Sequence, residues 1–197
     1  MTRMPVTPLE IRRQLLHITL GLLLVTLLNY GILTPWHLFW ILVIGLGLSW
    51  VSLRFRIPGV AWCLDKFERK QVRPGKGAIT YFIGVILVLQ LFPQDVAFAA
   101  ILILAVGDGV GALVGPFGRL KTRLSDKKLF EGTLAGIILG GLAATTFVSF
   151  PEAFLAAFTA MLFEAMEVRF NQKILNDNVI IPLVAGTTIV LLRNLLA

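Results

Sequence analysis

Apolar residues run almost unbroken through seven stretches of the chain, at about 15–33, 36–53, 79–92, 95–114, 132–150, 153–168 and 179–196, and charges, prolines and glycines punctuate them. Most of the stretches approach the ~20 residues that carry a helix across bilayer hydrocarbon. The pattern predicts an all-α, polytopic integral membrane bundle of about seven transmembrane helices. The 79–92 run is short, and it spans only if tilted or if its helix begins near Lys76. No long-period repeat, low-complexity tract or long linker divides the chain, so 1–197 reads as a single membrane-embedded domain.

Composition agrees, since 57% hydrophobic residues and a mean hydropathy of +0.85 exceed what a soluble domain of 197 residues buries. Charge then orients the bundle. With seven spans, all but one of the 18 Lys and Arg residues fall on one side, and the segments 29–35, 93–95 and 150–152 carry none. The positive-inside rule puts the N-terminus and the long loops in the cytosol and the C-terminus outside. The net charge of +7 is thus accounted for by topology and anionic lipid headgroups, without nucleic acid as a partner. The first run is too long for a signal-peptide core and lacks a small-residue cleavage site, so it reads as a retained helix. Cys63, the single cysteine, has no partner for a disulfide or a metal cluster. The small size suggests a multi-pass protein of a prokaryotic inner or plasma membrane.

On that topology the polar residues gather at one depth. Asp108 lies in the cytosolic half of its run, within Gly107-Asp108-Gly109-Val110-Gly111-Ala112. His17 follows Arg12 and Arg13 near the start of the first helix; Glu131 opens the fifth run, Glu164 and Glu167 close the sixth, and Asp177-Asn178 open the seventh. Only Asp95 and Glu152 lie outside, at helix starts where a carboxylate complements the N-terminal dipole. An acid inside a hydrophobic segment costs several kcal/mol, about 2.5–3.5 on insertion scales, so Asp108 is expected to face a cavity and carry function. Carboxylates beside lysines, arginines and glycines suit a metal–polyphosphate site: carboxylates hold Mg²⁺ or Mn²⁺, cations neutralise phosphate oxygens, and glycines let backbone N–H groups approach. No P-loop, zinc-protease or serine-hydrolase motif is present.

Five segments in order resemble the CTP-dependent polyprenol kinase family, which includes dolichol kinase, phytol kinase and the yeast-type diacylglycerol kinase. They are Glu10-Ile11-Arg12-Arg13 with His17 and Gly21; Arg73-Pro74-Gly75-Lys76-Gly77 with Tyr81 and Gly84; Gly107-Asp108 with Gly115 and Gly118; Lys127-Lys128-x-x-Glu131-Gly132-Thr133; and Asp177-Asn178-x-x-Ile181-Pro182-Leu183. The chain departs from the resemblance at Gln14, Gly111 and Leu129, where relatives commonly carry Lys, Ala and Ser or Thr. The resemblance implies transfer of the γ-phosphate of CTP to the hydroxyl of a polyprenol-, dolichol- or phytol-type alcohol at the cytosolic membrane face. A diacylglycerol kinase is the alternative, and a lipid cytidylyltransferase or a transporter is a more distant one.

On this reading Asp108 and Asp177 hold the metal, with Glu131 or Glu164 completing the shell. Lys127 and Lys128, assisted by Arg73 and Lys76, neutralise the phosphates, and Gly111, Gly115, Gly132 and Thr133 line the nucleotide. Arg13, His17 and Asn178 position the lipid alcohol, and Asp177 or Asp108 accepts its proton. Each has a plainer alternative. Gly107, Gly111 and Gly115 have the spacing of close helix packing in membranes, Lys127 and Lys128 could bind lipid headgroups, His17 could be an interfacial histidine, and Asp177-Asn178 could cap a helix.

Overall fold

The computed structural model describes residues 7–69, 72–118, 130–166, 169–170, 173–174 and 176–196. Its helices are α1 (Pro8–Asn29), α2 (Pro35–Ser52), α3 (Pro58–Phe67), α4 (Lys76–Leu91), α5 (Gln94–Phe117), α6 (Phe130–Ala144), α7 (Phe150–Ala165) and α8 (Asp177–Leu196). A two-stranded antiparallel hairpin, β1 (Arg169–Phe170) and β2 (Lys173–Ile174), precedes α8. Proline in the first turn starts α1, α2, α3 and α7, where its missing N–H has no helical acceptor to lose. Thr7 completes the start of α1 by accepting the Glu10 N–H at 3.3 Å.

Each of the seven apolar runs forms a helix, but only four of the described helices are long and apolar enough to cross a membrane by themselves: α1, α2, α5 and α8. That corrects the expected count of seven full-length spans. The 16 residues of α4 and of α7 rise about 24 Å, and the 15 of α6 slightly less, against a hydrocarbon core of about 30 Å. Helix α4 does begin at Lys76. Helix α3 and the hairpin were not expected. Helix α3 is amphipathic and short, and the charges around it conceal its apolar face from a search for spans.

Helix α5 is the centre, with α1, α4, α6, α7 and α8 packed around it and every residue from Val96 to Ala105 buried. It can be enclosed because it is apolar on all sides, as a core helix must be, and because its later half is built from small residues. A side chain at Gly111 would stand 3.2 Å from the Gly132 carbonyl oxygen; one at Gly136 would stand 2.7 Å from the Gly107 carbonyl oxygen. Glycines 107, 111 and 115 of α5 thus meet glycines 132, 136 and 140 of α6 backbone to backbone, the packing that small residues four apart permit in membranes. Helix α2 packs on α4 and α3 and buries only Leu38.

The opposite end is closed by ions. Arg193 of α8 pairs with Asp95 of α5 at 2.7 Å and with Glu152 of α7 at 2.6 Å. These two acids therefore do more than complement helix dipoles, since they tie the ends of three helices together.

Helices α4 and α8 meet at Gly84, where an added Cβ would collide with the Asn178 carbonyl oxygen. Pro182, four residues on, has no N–H to offer that carbonyl, and the glycine Cα–H faces it instead. Gly84→Ala should push the two helices apart at a cost of about 1–3 kcal/mol, read as a lowered thermal unfolding midpoint in detergent. An unchanged midpoint would show that this contact is not tight.

Topology is testable through the exposed thiol of Cys63. A membrane-impermeant maleimide should reach Cys63 only after permeabilisation, and should label Gln94→Cys, in a Cys63→Ser background, from outside in intact cells. Labelling of position 94 only after permeabilisation would reject the expected orientation.

Candidate active site

Asp108 ends a π-helical segment, Ile103–Asp108, inside α5. A π segment inserts an extra residue into the turn and re-aims the side chains that follow, which is why such segments recur at functional sites. The carboxylate is mostly enclosed, at 16% exposure, and its Oδ2 lies 3.8 Å from His17 Nε2 of α1. The same nitrogen stands 3.4 Å from the Leu104 carbonyl oxygen, so a proton on Nε2 is donated into the π segment itself. The His17 ring meets Tyr81 of α4 edge-on, with centroids 4.7 Å apart. Gly21, one turn beyond His17, makes room: a Cβ there would collide with Ala105 and stand 2.5 Å from the Tyr81 hydroxyl. Three helices thus converge on Asp108. The Tyr81 hydroxyl is buried and has no hydrogen-bond partner among the described residues.

Helix α4 also receives the start of α8. Asn178 Nδ2 donates to Thr80 Oγ1 at 3.0 Å and to the Gly77 carbonyl at 3.3 Å. The cap of α8 is Asn176, whose Oδ1 accepts the Asn178 N–H at 3.0 Å. Capping therefore explains neither Asp177, half-buried in the first turn, nor Asn178, which bolts α8 to α4.

Glu131 reaches the far end of α5, its carboxylate lying against Gly118, 2.5 Å from where a side chain there would begin. Thr133 follows one residue after Gly132 on α6, half-buried. Gly111, Gly115 and Gly132, expected at the nucleotide, lie in the helix seam, and packing accounts for their spacing. Glu164 lies one helical turn beyond Met161, whose sulfur packs against Gly107 and Gly136, so it occupies the α7 face that borders the Asp108 seam. Asp108, Glu131, Glu164 and Asp177 all have polar or electrostatic partners within the fold.

The basic residues divide. Arg73 and Lys76 are exposed on either side of Gly75, which stands at the start of α4 in the left-handed conformation at φ +75°. Glu68 accepts the N–H of Gly75 at 2.6 Å and of Gly77 at 3.4 Å, so a carboxylate of the chain itself occupies backbone donors at the start of α4. Sequence reasoning missed Glu68, although an acid in an otherwise basic loop was the available signal. Arg13 pairs with Glu10 at 2.5 Å, and Glu10 also binds Gln14 at 2.8 Å and Arg69 at 3.1 Å, so Arg13 belongs to a network that ties α1 to the segment after α3. Lys127, Lys128, Leu129 and Glu167 lie outside the described residues.

Among the described residues no three His, Cys, Asp or Glu side chains are grouped closely enough to hold a metal ion. A magnesium ion that bridges phosphates needs only one or two carboxylates, the remaining ligands being phosphate oxygens and water. Asp108 satisfies that requirement in kind, and the orphaned Tyr81 hydroxyl, touching the same histidine, suits an oxygen-rich ligand.

No protein-family model and no solved structure matches the chain. Among curated proteins, it is 31% identical over 182 residues to an uncharacterized protein of Methanocaldococcus jannaschii, covering 90% of this chain and 91% of that one. It is 29% identical over 138 residues to CTP-dependent diacylglycerol kinase 1 of Schizosaccharomyces pombe, and 22% identical over 152 residues to that of Saccharomyces cerevisiae. The match spans 60% and 52% of the length of those two kinases.

Asn178→Ala removes two inter-helix hydrogen bonds, and at about 0.5–1.5 kcal/mol each this should lower the thermal midpoint measurably, whereas Asn178→Asp, with acceptors but no donor, should lose the bond to the Gly77 carbonyl and regain at most the one to the Thr80 hydroxyl. Full stability of Asn178→Ala would leave the side chain free for a role in ligand binding instead.

Proposed function

From a chain that belongs to one family with the archaeal protein and is homologous to the CTP-dependent diacylglycerol kinases, we propose a membrane-embedded CTP-dependent lipid kinase, formed by residues 1–197 as one domain, that works at the cytosolic face. The observation that carries the reading is Asp108, a carboxylate enclosed within an apolar helix with a histidine of another helix 3.8 Å away. The names of the relatives favour diacylglycerol as the acceptor over the isoprenoid alcohols.

Phosphoryl transfer asks a protein for alignment and charge neutralisation more than for covalent chemistry. The lipid hydroxyl oxygen attacks the γ-phosphorus, the bond from that phosphorus to the β–γ bridging oxygen breaks, and CDP leaves. Asp108 would hold Mg²⁺ or Mn²⁺ with phosphate oxygens and water as most of the remaining ligands, because Asp108, Asp177, Glu131 and Glu164 do not form a group of three close enough to share the ion. The ion, when bound, neutralises charge on the phosphate oxygens. His17 keeps Asp108 oriented, and Asp177, anchored through its neighbour Asn178, takes the proton of the hydroxyl late in the transfer. Lys127 and Lys128 bind the triphosphate, with Arg73 and Lys76 at its approach.

Purified protein should transfer label from γ-labelled CTP, and not from γ-labelled ATP, to diacylglycerol in preference to polyprenol, phytol or geranylgeraniol. Asp108→Asn keeps size and loses charge, so transfer should fall by about two to four orders of magnitude with the thermal midpoint unchanged. Near-normal metal-dependent transfer by Asp108→Asn would remove the centre of this mechanism, and labelling of phytol alone would transfer the acceptor to the isoprenoid class.

A further inference from the structure

Helix α3 is tethered at both ends to helices of the bundle. Residues 53–57 join it to α2, residues 68–75 join it to α4, and it packs on α1 and α2. Its 10 residues rise about 15 Å, half the thickness of bilayer hydrocarbon. It therefore does not span, and its short links keep it at the membrane boundary where α2 ends and α4 begins. Val60, Ala61 and Leu64 form its half-buried inner face. Away from that face Trp62 is 58% exposed, and Phe55, in the link from α2, is 66% exposed. Two large aromatic rings are thus left uncovered just beyond the end of a membrane-spanning helix.

Cations stand among these rings. Lys66, one turn after Trp62, has its Nζ 5.8 Å from the centre of the indole ring, and Arg54 and Arg56 flank Phe55. Arg54 and Lys66 are exposed, and neither pairs with a carboxylate among the described residues. Arg56 approaches Asp65 only to 3.9 Å, with both side chains largely in solvent, an ion pair that holds neither group firmly. Glu68, the other acid of the segment, is committed to the N–H groups of Gly75 and Gly77. Exposed rings fit an apolar partner and unpaired cations fit an anionic one. A leaflet that contains anionic lipid offers both at one depth, because aromatic rings settle at headgroup level and basic side chains are drawn to the phosphates there.

We propose that the exposed face of α3, together with Arg54, Phe55 and Arg56, docks on the anionic headgroups of the cytosolic leaflet. Trp62 and Phe55 enter at headgroup level, and Arg54, Arg56 and Lys66 bind lipid phosphate. The surface depends on the membrane placement of the fold and not on the reaction at Asp108, so a chain that transfers no phosphate would still dock.

Cys63, exposed on α3 and the single cysteine of the chain, accepts a nitroxide spin label next to Trp62. The full-length protein is placed in nanodiscs of phosphatidylcholine alone or of an equal mixture with phosphatidylglycerol. The label should collide with oxygen, in preference to an uncharged water-soluble nickel chelate, more strongly in the mixture than in phosphatidylcholine alone. High salt should remove the difference, since it screens exposed charge. Arg54→Gln, Arg56→Gln and Lys66→Gln together should abolish it while the thermal midpoint in detergent stays unchanged, because all three side chains are at the surface. Equal collision ratios in the two lipids, or a difference that survives high salt or the triple substitution, would overturn the proposal. A label that remains in water in both lipids would overturn it too and assign this face to a soluble partner.

Discussion

Backbone contact between α5 and α6 is the constraint from which the rest follows. In hydrocarbon there is no hydrophobic gain from bringing two apolar helices together, so association depends on close packing, and six glycines bring the chains near enough for carbonyl oxygens to lie where side chains would begin. That approach allows α5 to be surrounded by five helices. Enclosure in turn makes it possible to keep a carboxylate at membrane depth, because Asp108 faces protein and not lipid.

The π segment and the histidine then act together. The π turn changes the phase of α5 just before Asp108, and His17 from α1 meets both the carboxylate and a carbonyl of the same segment. Tyr81 closes the third side with a hydroxyl that finds no partner within the described residues. The same α4 is bolted to the start of α8 through Asn178, so the Tyr81 side of the site and α8 are referred to one element.

Glu68 fixes the Arg73-Pro74-Gly75-Lys76-Gly77 segment. Its backbone donors and the left-handed Gly75 form an anion-binding corner, as a helix start does, and the protein fills that corner with its own carboxylate. The cationic side chains of Arg73 and Lys76 remain exposed.

The chain by itself determined where the helices lie, because runs of apolar residues interrupted by charge and proline are dictated by the cost of burying either in hydrocarbon. It also singled out Asp108, whose charge is conspicuous in such a run, and it offered the glycine spacing with two readings. Which residues meet was decided only by tertiary structure. Nothing local distinguishes His17 from an interfacial histidine until α1 crosses the π segment. Gly111, Gly115 and Gly132 could have faced phosphate or one another until α6 lay against α5. Asp177-Asn178 looked like a cap until Asn176 was seen to supply it, and the shortness of α6 shows only once its end is seen at Ala144. Local pattern records what each segment must avoid. The groups that surround a buried charge come from elements far apart in the chain.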